Sequence, residues 1–490
     1  MTSTQTTPPI EDAYSLSSEA VEAPPARLGA ALRQIGPGLI LAASIVGTGE
    51  LIATTNLGAK VGFALLWLVI VSCFIKVFAQ IELGRHAICT GQTTLAAFRE
   101  LPGPAKLLGA WWIIMMLSTQ LQLASMVGGI GQAMHMAVPQ VSGALASVLS
   151  RIRPEWGQLI GKSPELPWAT VVALGTSVLL AVGGYSLIEK GSTLLVAGFT
   201  LATALCVVLL PVAGHAIAWD EVGRGMSFAL PQSSEALIAA LAVVGITGVG
   251  ATELVTYPYW CVEKGYARKT GVPDGSAAWL ARARGWMRIL KLDAWVSMVI
   301  YTIATVAFYF LGAAVLHGRR SGLPGNVEGM LQALAEMYVP VMGPRLAIAF
   351  IVAGAFAVLY STLYAATGAN SRTLADFLHV HRLLSLADAQ RRRRLVRMLC
   401  IIFPVLNLAL FVQFRNPVMM VLVAGCIQAI TLPMLAGAAV YLRFRRTHPM
   451  LTPGRIWDIM LWLSLIALCT AAAYSLFDAL QKLLGALWPK

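Results

Sequence analysis

"IVGTGELIATT", Ile45 to Thr55, interrupts a stretch that is otherwise apolar enough to dissolve in lipid. Glycine weakens a helix, and a carboxylate at the centre of a bilayer costs roughly 2.5–3.5 kcal/mol on insertion scales. Two glycines and a glutamate in succession, Gly47-Thr48-Gly49-Glu50, therefore mark a place where the helix is broken and the charge is used. A second place has the same pattern. "ITGVGATELVTYPYW", Ile246 to Trp260, is also apolar, also carries a G-x-G, and also follows it with Glu-Leu and a β-branched residue.

The surroundings fix the class. Of 490 residues, 57% are hydrophobic and 12% charged, where a soluble domain has about 25% charged residues. Apolar runs long enough to span a bilayer recur throughout. Eleven spans are predicted, near 35–61, 63–88, 105–137, 167–187, 190–213, 234–263, 286–316, 343–370, 397–414, 417–442 and 456–484. The two broken spans are the first and the sixth. Interrupted segments at corresponding positions of two halves indicate a transporter built of inverted repeats, with its site where the breaks meet. The chain is thus read as an all-α polytopic membrane protein. One five-helix repeat lies over about 35–213, a second over about 234–442, and an extra helix over about 456–484.

Residues 1–26 hold four prolines, four acidic residues and no basic one, so 1–30 is read as a disordered cytoplasmic tail and 31–490 as the transporter domain. The tail lacks the basic start and apolar core of a signal peptide. With the N-terminus inside, and residues near a span end counted with the adjoining loop, the inner segments carry 24 Lys and Arg and the outer ones 11, leaving Lys76 alone in mid-span. That asymmetry is the positive-inside signal of a multi-pass cell-membrane protein. It accounts for the net charge of +13 and for the run Arg391–Arg394 without a nucleic-acid partner. An anionic-lipid contact is the other use for that run. The lipid bilayer is the expected surrounding, and no obligate protein partner is inferred. The seven cysteines have no metal-ligand spacing and read as small buried hydrophobes.

A broken helix exposes carbonyls from one half and N–H groups from the other, tolerated at this depth only in a protein-lined or watered cavity. Carbonyls and carboxylates are hard ligands suited to a hard or borderline divalent cation. Glu50 and Glu253 are expected to converge with the carbonyls of Gly47 and Val249 and the Thr252 hydroxyl. The alternative is that both glutamates are structural and pair with Lys76. Two carboxylates and one ammonium leave a negative charge unbalanced, so that reading still needs a proton or a cation. Lys76 itself is read either as a counter-ion to these glutamates or as reaching Glu82.

"GPGLILAASIVGTGELIATTNLGAKVGFALLW", Gly36 to Trp67, resembles the first span of the NRAMP (natural resistance-associated macrophage protein) family of divalent-metal transporters. That family shows GPG, eight residues, then Asp-Pro-Gly-Asn. Further matches are Gln80, Arg85, Thr90 and Gly91 in the second span, Gly245–Tyr257, "STLYAATGAN" (Ser361–Asn370) and "QAITLP" (Gln428–Pro433). The resemblance runs over roughly 35–445, apart from a longer loop at 138–166, and implies the LeuT-type fold.

The family's metal-binding aspartate falls at Gly47, its proline at Thr48 and its binding asparagine at Glu50. Its alanine carbonyl falls at Val249, its methionine ligand at Thr252, and its proline-histidine pair at Glu253 and Leu254. Its span-ten glutamine is kept, as Gln428. The acidic residues of its proton route fall at Met115, Gln122 and Ser125. The chain resembles a divergent member, comparable to the magnesium-transporting relatives that also lack the methionine. Loss of the thioether removes the soft ligand, and loss of the histidine and carboxylates removes the obvious proton carriers.

The expected function is secondary transport of a divalent cation, Mg2+ or Mn2+ among the candidates, as cargo rather than cofactor. Gly47, Glu50, Val249, Thr252, Glu253 and Gln428 are its expected ligands. The competing reading is transport of a small organic cation or amino acid on the same fold, with Tyr257, Tyr259 and Trp260 boxing an ammonium. A membrane receptor lacks an appended soluble domain to relay its signal. An enzyme lacks a Ser-His-Asp set, an HExxH or a phosphate-binding loop.

Overall fold

The computed structural model describes residue 16 and residues 20–487, apart from 104, 184, 231–232 and 386–387. Among these residues the secondary structure is entirely helical. In chain order the long elements are α1 (Pro37–Ile45), α2 (Thr55–Val61), α3 (Leu66–Thr90), α4 (Ala105–Ala137), α5 (Leu166–Val182), α6 (Tyr185–Leu209) and α7 (Ser234–Ile246). They continue as α8 (Ala251–Glu263), α9 (Ala277–Leu311), α10 (Pro344–Val380), α11 (Ala389–Phe414), α12 (Pro417–Arg445) and α13 (Arg455–Leu487). Eight stretches are long and apolar enough to cross a membrane: α3, α4, the α7–α8 pair, and α9 through α13. The other three predicted spans are the broken α1–α2 pair, and α5 and α6, whose apolar helical parts are shorter.

Several helices outrun the spans read from hydropathy. α9 begins at Ala277 rather than near 286, capped by the Ser276 hydroxyl on the Trp279 amide, and α10 continues to Val380 rather than 370. Hydropathy marks where a helix leaves lipid, whereas arginine and alanine are good helix formers that let it continue into water. The 138–166 loop is itself largely helical, as Pro139–Ile152 and Pro154–Lys162.

Both breaks lie where the glycines place them. α1 stops at Ile45, and the chain resumes as a π-helical turn over Gly49–Thr54 that runs directly into α2, all six of its residues buried. π-turns inside helices are rare and concentrate at functional sites. α7 stops at Ile246, and Gly248 takes φ +60°, the left-handed region that glycine enters at little cost. α8 then starts at Ala251.

The end of the bundle where α1 begins is closed by a carboxylate that the sequence reading did not single out. Asp293 of α9 is buried and accepts hydrogen bonds from the Gly36 amide (2.9 Å), the Gly38 amide (2.6 Å) and the Tyr257 hydroxyl (2.9 Å). The first amides of a helix have no partner within it, so an aspartate from a neighbouring helix caps α1. A Cβ on Gly38 would lie 2.6 Å from the Asp293 carbonyl oxygen, which explains a glycine there. Removing the acceptor leaves buried donors unpaired, at about 1–3 kcal/mol each. Asp293→Ala should therefore speed amide hydrogen exchange at Gly36 and Gly38 by tenfold or more. Exchange unchanged from the parent protein would contradict a latch at this position.

Of the tail read as disordered over 1–30, residues 1–15 and 17–19 lie outside the described residues. The rest is placed on the bundle. Glu22 receives a backbone hydrogen bond at its carbonyl from the Trp286 indole (3.0 Å), donates its amide to the Lys269 carbonyl (3.0 Å), and pairs its carboxylate with the Lys269 ammonium (3.0 Å).

Candidate cation site at the two broken helices

Glu50 lies wholly inside the protein, within the π-turn that restarts the first broken span. One carboxylate oxygen accepts from the Gly248 amide (3.3 Å) and lies 3.2 Å from the Thr305 hydroxyl of α9, whose one proton it shares with the Tyr301 carbonyl (2.7 Å), and the other accepts from the Gly47 amide (3.4 Å). Gly248 is in the break between α7 and α8, so this glutamate joins the two breaks directly. All three contacts are long. Buried carboxylates held firmly have N–H···O distances near 2.7–2.9 Å. The geometry leaves the charge under-compensated, which suits a group that also meets a cation.

The shift of the carboxylate from position 47 to position 50 has a steric reason. A Cβ on Gly47 would lie 2.8 Å from Thr362 Oγ1 and 3.1 Å from Thr362 Cγ2 on α10. A side chain there needs Thr362 to give way, whereas the carboxylate one turn later meets no such obstacle. The Gly47 carbonyl accepts from the Leu51 amide at 2.9 Å, leaving it one lone pair.

A second group of oxygens lies around α8. Glu253 is half-buried, and a Cβ on Gly250 would lie 2.5 Å from Glu253 Oε2 and 3.5 Å from Gln428 Oε1. A side chain at 250 would push the Glu253 carboxylate away from this position. The Gln428 amide donates to Gln122 Oε1 (2.9 Å), and the Gln122 amide donates to the Thr48 hydroxyl (2.9 Å). This chain of amides ties α12, α4 and the first break together. Thr252 shares a hydrogen bond with Thr119 of α4 (2.6 Å). Val249 is fully buried between the two glycines of its break. Of the positions matching the family's span-three acids, Gln122 is in this chain, Ser125 donates to the Gln122 carbonyl (2.6 Å), and Met115 lies in the buried core.

Lys76 is within electrostatic reach of Glu50 and Glu253, but its hydrogen bonds go elsewhere. Among the described residues it makes no ion pair with Glu50, Glu253 or Glu82. Its ammonium donates to the Val244 carbonyl (2.8 Å) and the Thr247 carbonyl (2.5 Å), at the C-terminal end of α7. Glu82 is taken by Arg85 (2.9 Å) and the Trp457 indole (2.6 Å). The reason is the helix end itself, whose last carbonyls have no intrahelical partner and carry the negative end of the dipole.

The aromatic residues of α8 do not form a box at the breaks. The Tyr257 hydroxyl goes to Asp293, and the Tyr259 hydroxyl to Asp376 (2.5 Å), which also accepts from Thr93 (2.7 Å). Among the described residues no three of His, Cys, Asp and Glu come together as a preformed metal cage. Any cation held here must draw on backbone and amide oxygens as well as carboxylates.

With this geometry in place, comparison with known proteins decides the family. The model for proteins described as natural resistance-associated macrophage protein-like matches residues 38–478. The chain belongs to the NRAMP-like family. An uncharacterised protein of Pasteurella multocida is 24% identical over 452 residues, covering 91% of this chain and 92% of that one. The divalent metal cation transporter MntH 1 of Pseudomonas aeruginosa is 24% identical over 346 residues, covering 70% and 69%. Among solved structures, a mutant of the manganese transporter of Eremococcus coleocola superposes with a TM-score of 0.66 at 16% identity, covering 97% of this chain and 93% of that chain. The fold is that of the NRAMP and LeuT-type transporters, in a multi-pass membrane protein.

Proposed function

We propose that this NRAMP-like protein is a secondary transporter, and not an enzyme, that carries a divalent cation through the oxygen-lined site between its two broken helices. The observation that carries this reading is Glu50, a fully buried carboxylate in one break that is hydrogen-bonded to the backbone of the other. A buried charge held by long bonds is costly unless something compensates it, and the cargo does so. The name and fold of the relatives support a metal cargo. In this reading Glu50 and Glu253 supply the charge, with the Gly47 and Val249 carbonyls, the Thr252 hydroxyl and the Gln428 amide oxygen completing the shell. The excess of Lys and Arg in alternate loops, 24 against 11, supports a cell-membrane orientation with the N-terminus in the cytoplasm.

An all-oxygen shell gives no advantage to soft metals. Calorimetry on the purified protein should show saturable binding of Mg2+ or Mn2+ with no strong preference for Cd2+. Thr252→Met, which replaces the Thr119-bonded hydroxyl with a thioether, should raise Cd2+ affinity relative to Mg2+ by about tenfold, or about 1.4 kcal/mol. Tight Cd2+ binding by the unmodified protein would contradict the oxygen-shell reading.

A further inference from the structure

We propose that the C-terminal carbonyls of α7 form a monovalent-cation site, and that the protein fills it permanently with its own Lys76 ammonium. The ammonium is bonded to neutral oxygens, within electrostatic reach of Glu50 and Glu253, and the site takes a different class of ligand, a singly charged cation.

Three observations carry this. Lys76 is fully buried, and its two hydrogen bonds both go to backbone carbonyls, Val244 and Thr247, rather than to a carboxylate. Those carbonyls belong to the last turn of a helix that stops inside the protein, where four carbonyls lose their intrahelical donors. The next amide, Gly248, points the other way, to Glu50. The break is therefore held between a cation on its carbonyl side and an anion on its amide side. The break packs closely on the helix that carries the lysine: a Cβ on Gly248 would lie 3.1 Å from Cys73 Sγ, one turn before Lys76 on α3.

Carbonyl oxygens at a helix C-terminus are the ligands that unwound transporter helices offer to coupling cations. An ammonium is a compact point charge with three donors and satisfies such oxygens as a small cation would. Being tethered, it cannot leave with the cargo. The protein thus has the charge of a co-bound monovalent cation at this position without moving one.

The test is thermal unfolding of the detergent-purified full chain in choline chloride against NaCl, KCl and methylammonium chloride. The unmodified protein should melt at the same temperature in all four. Lys76→Ala vacates the space and should melt lower in choline, then recover saturably by roughly 3–5 °C with one or more of the small cations. Lys76→Gln fills the space with a neutral donor and should melt low in every salt. Recovery of Lys76→Ala only when purified in a small-cation salt would also support the site. Equal melting of Lys76→Ala in choline and in all three small-cation salts would overturn it. So would Lys76→Gln melting like the unmodified protein, since a neutral hydrogen-bond donor would then suffice.

Discussion

Glu50→Gln is expected to lower divalent-cation uptake by roughly 100-fold or more at subsaturating metal while leaving the protein folded. The substitution keeps the shape and still offers an oxygen to the Gly248 amide, so the join between the breaks survives, while its NH2 gives up the long contact to the Gly47 amide. What it removes is the charge. Truncating one partner of a buried, hydrogen-bonded charge interaction costs about 2–5 kcal/mol, and about 1.4 kcal/mol is tenfold. Initial rates in proteoliposomes, with elution profile and melting temperature as controls for folding, read the effect. A near-normal rate at both low and saturating metal would remove Glu50 from the site.

Gly47→Ala is expected to lose at least tenfold of the uptake, although it adds one methyl group and no charge. The added carbon would meet the Thr362 side chain at 2.8 Å and 3.1 Å, so either that side chain or one of the two helices must shift. Overpacking of this kind costs about 1–3 kcal/mol, here spent on displacing the break that holds Glu50. Thr362→Ala removes both close atoms, so the double variant should regain most of the activity. Full activity in Gly47→Ala alone would mean that the first break tolerates movement, and the double variant doing no better than the single one would place the obstruction elsewhere.

The fold was legible because its decisive signals are local. Glycine pairs inside apolar runs interrupt a helix wherever they fall, and a carboxylate beside each pair sits where lipid would not tolerate it, so Gly47–Glu50 and Gly248–Glu253 gave both breaks. The partners of the charges were less legible, for physical reasons. Opposite charges point Lys76 toward a carboxylate, and a helix end adds a concentrated set of unpaired carbonyls that no residue type in the sequence advertises. The hydroxyls that shape the site, Thr119, Thr305 and Thr362, give no pattern either. A threonine in a membrane helix commonly bonds to its own helix, as Thr305 does to the Tyr301 carbonyl (2.7 Å) and Thr362 to the Val358 carbonyl (3.1 Å), so its second role depends on which helix packs against it. Asp293 did leave a signal, as a carboxylate in an apolar stretch. What the sequence does not show is that the residue lies beneath the start of α1, where its partners are backbone amides.

Uptake by the purified protein in sealed liposomes, compared across Mg2+, Mn2+, Ca2+ and Cd2+, tests the transport reading most directly. The expected result is saturable entry of at least one hard divalent cation, competed by unlabelled ion of the same kind and lost in Glu50→Gln. No entry of any of the four above protein-free liposomes, from a preparation that is folded and correctly inserted, would contradict it.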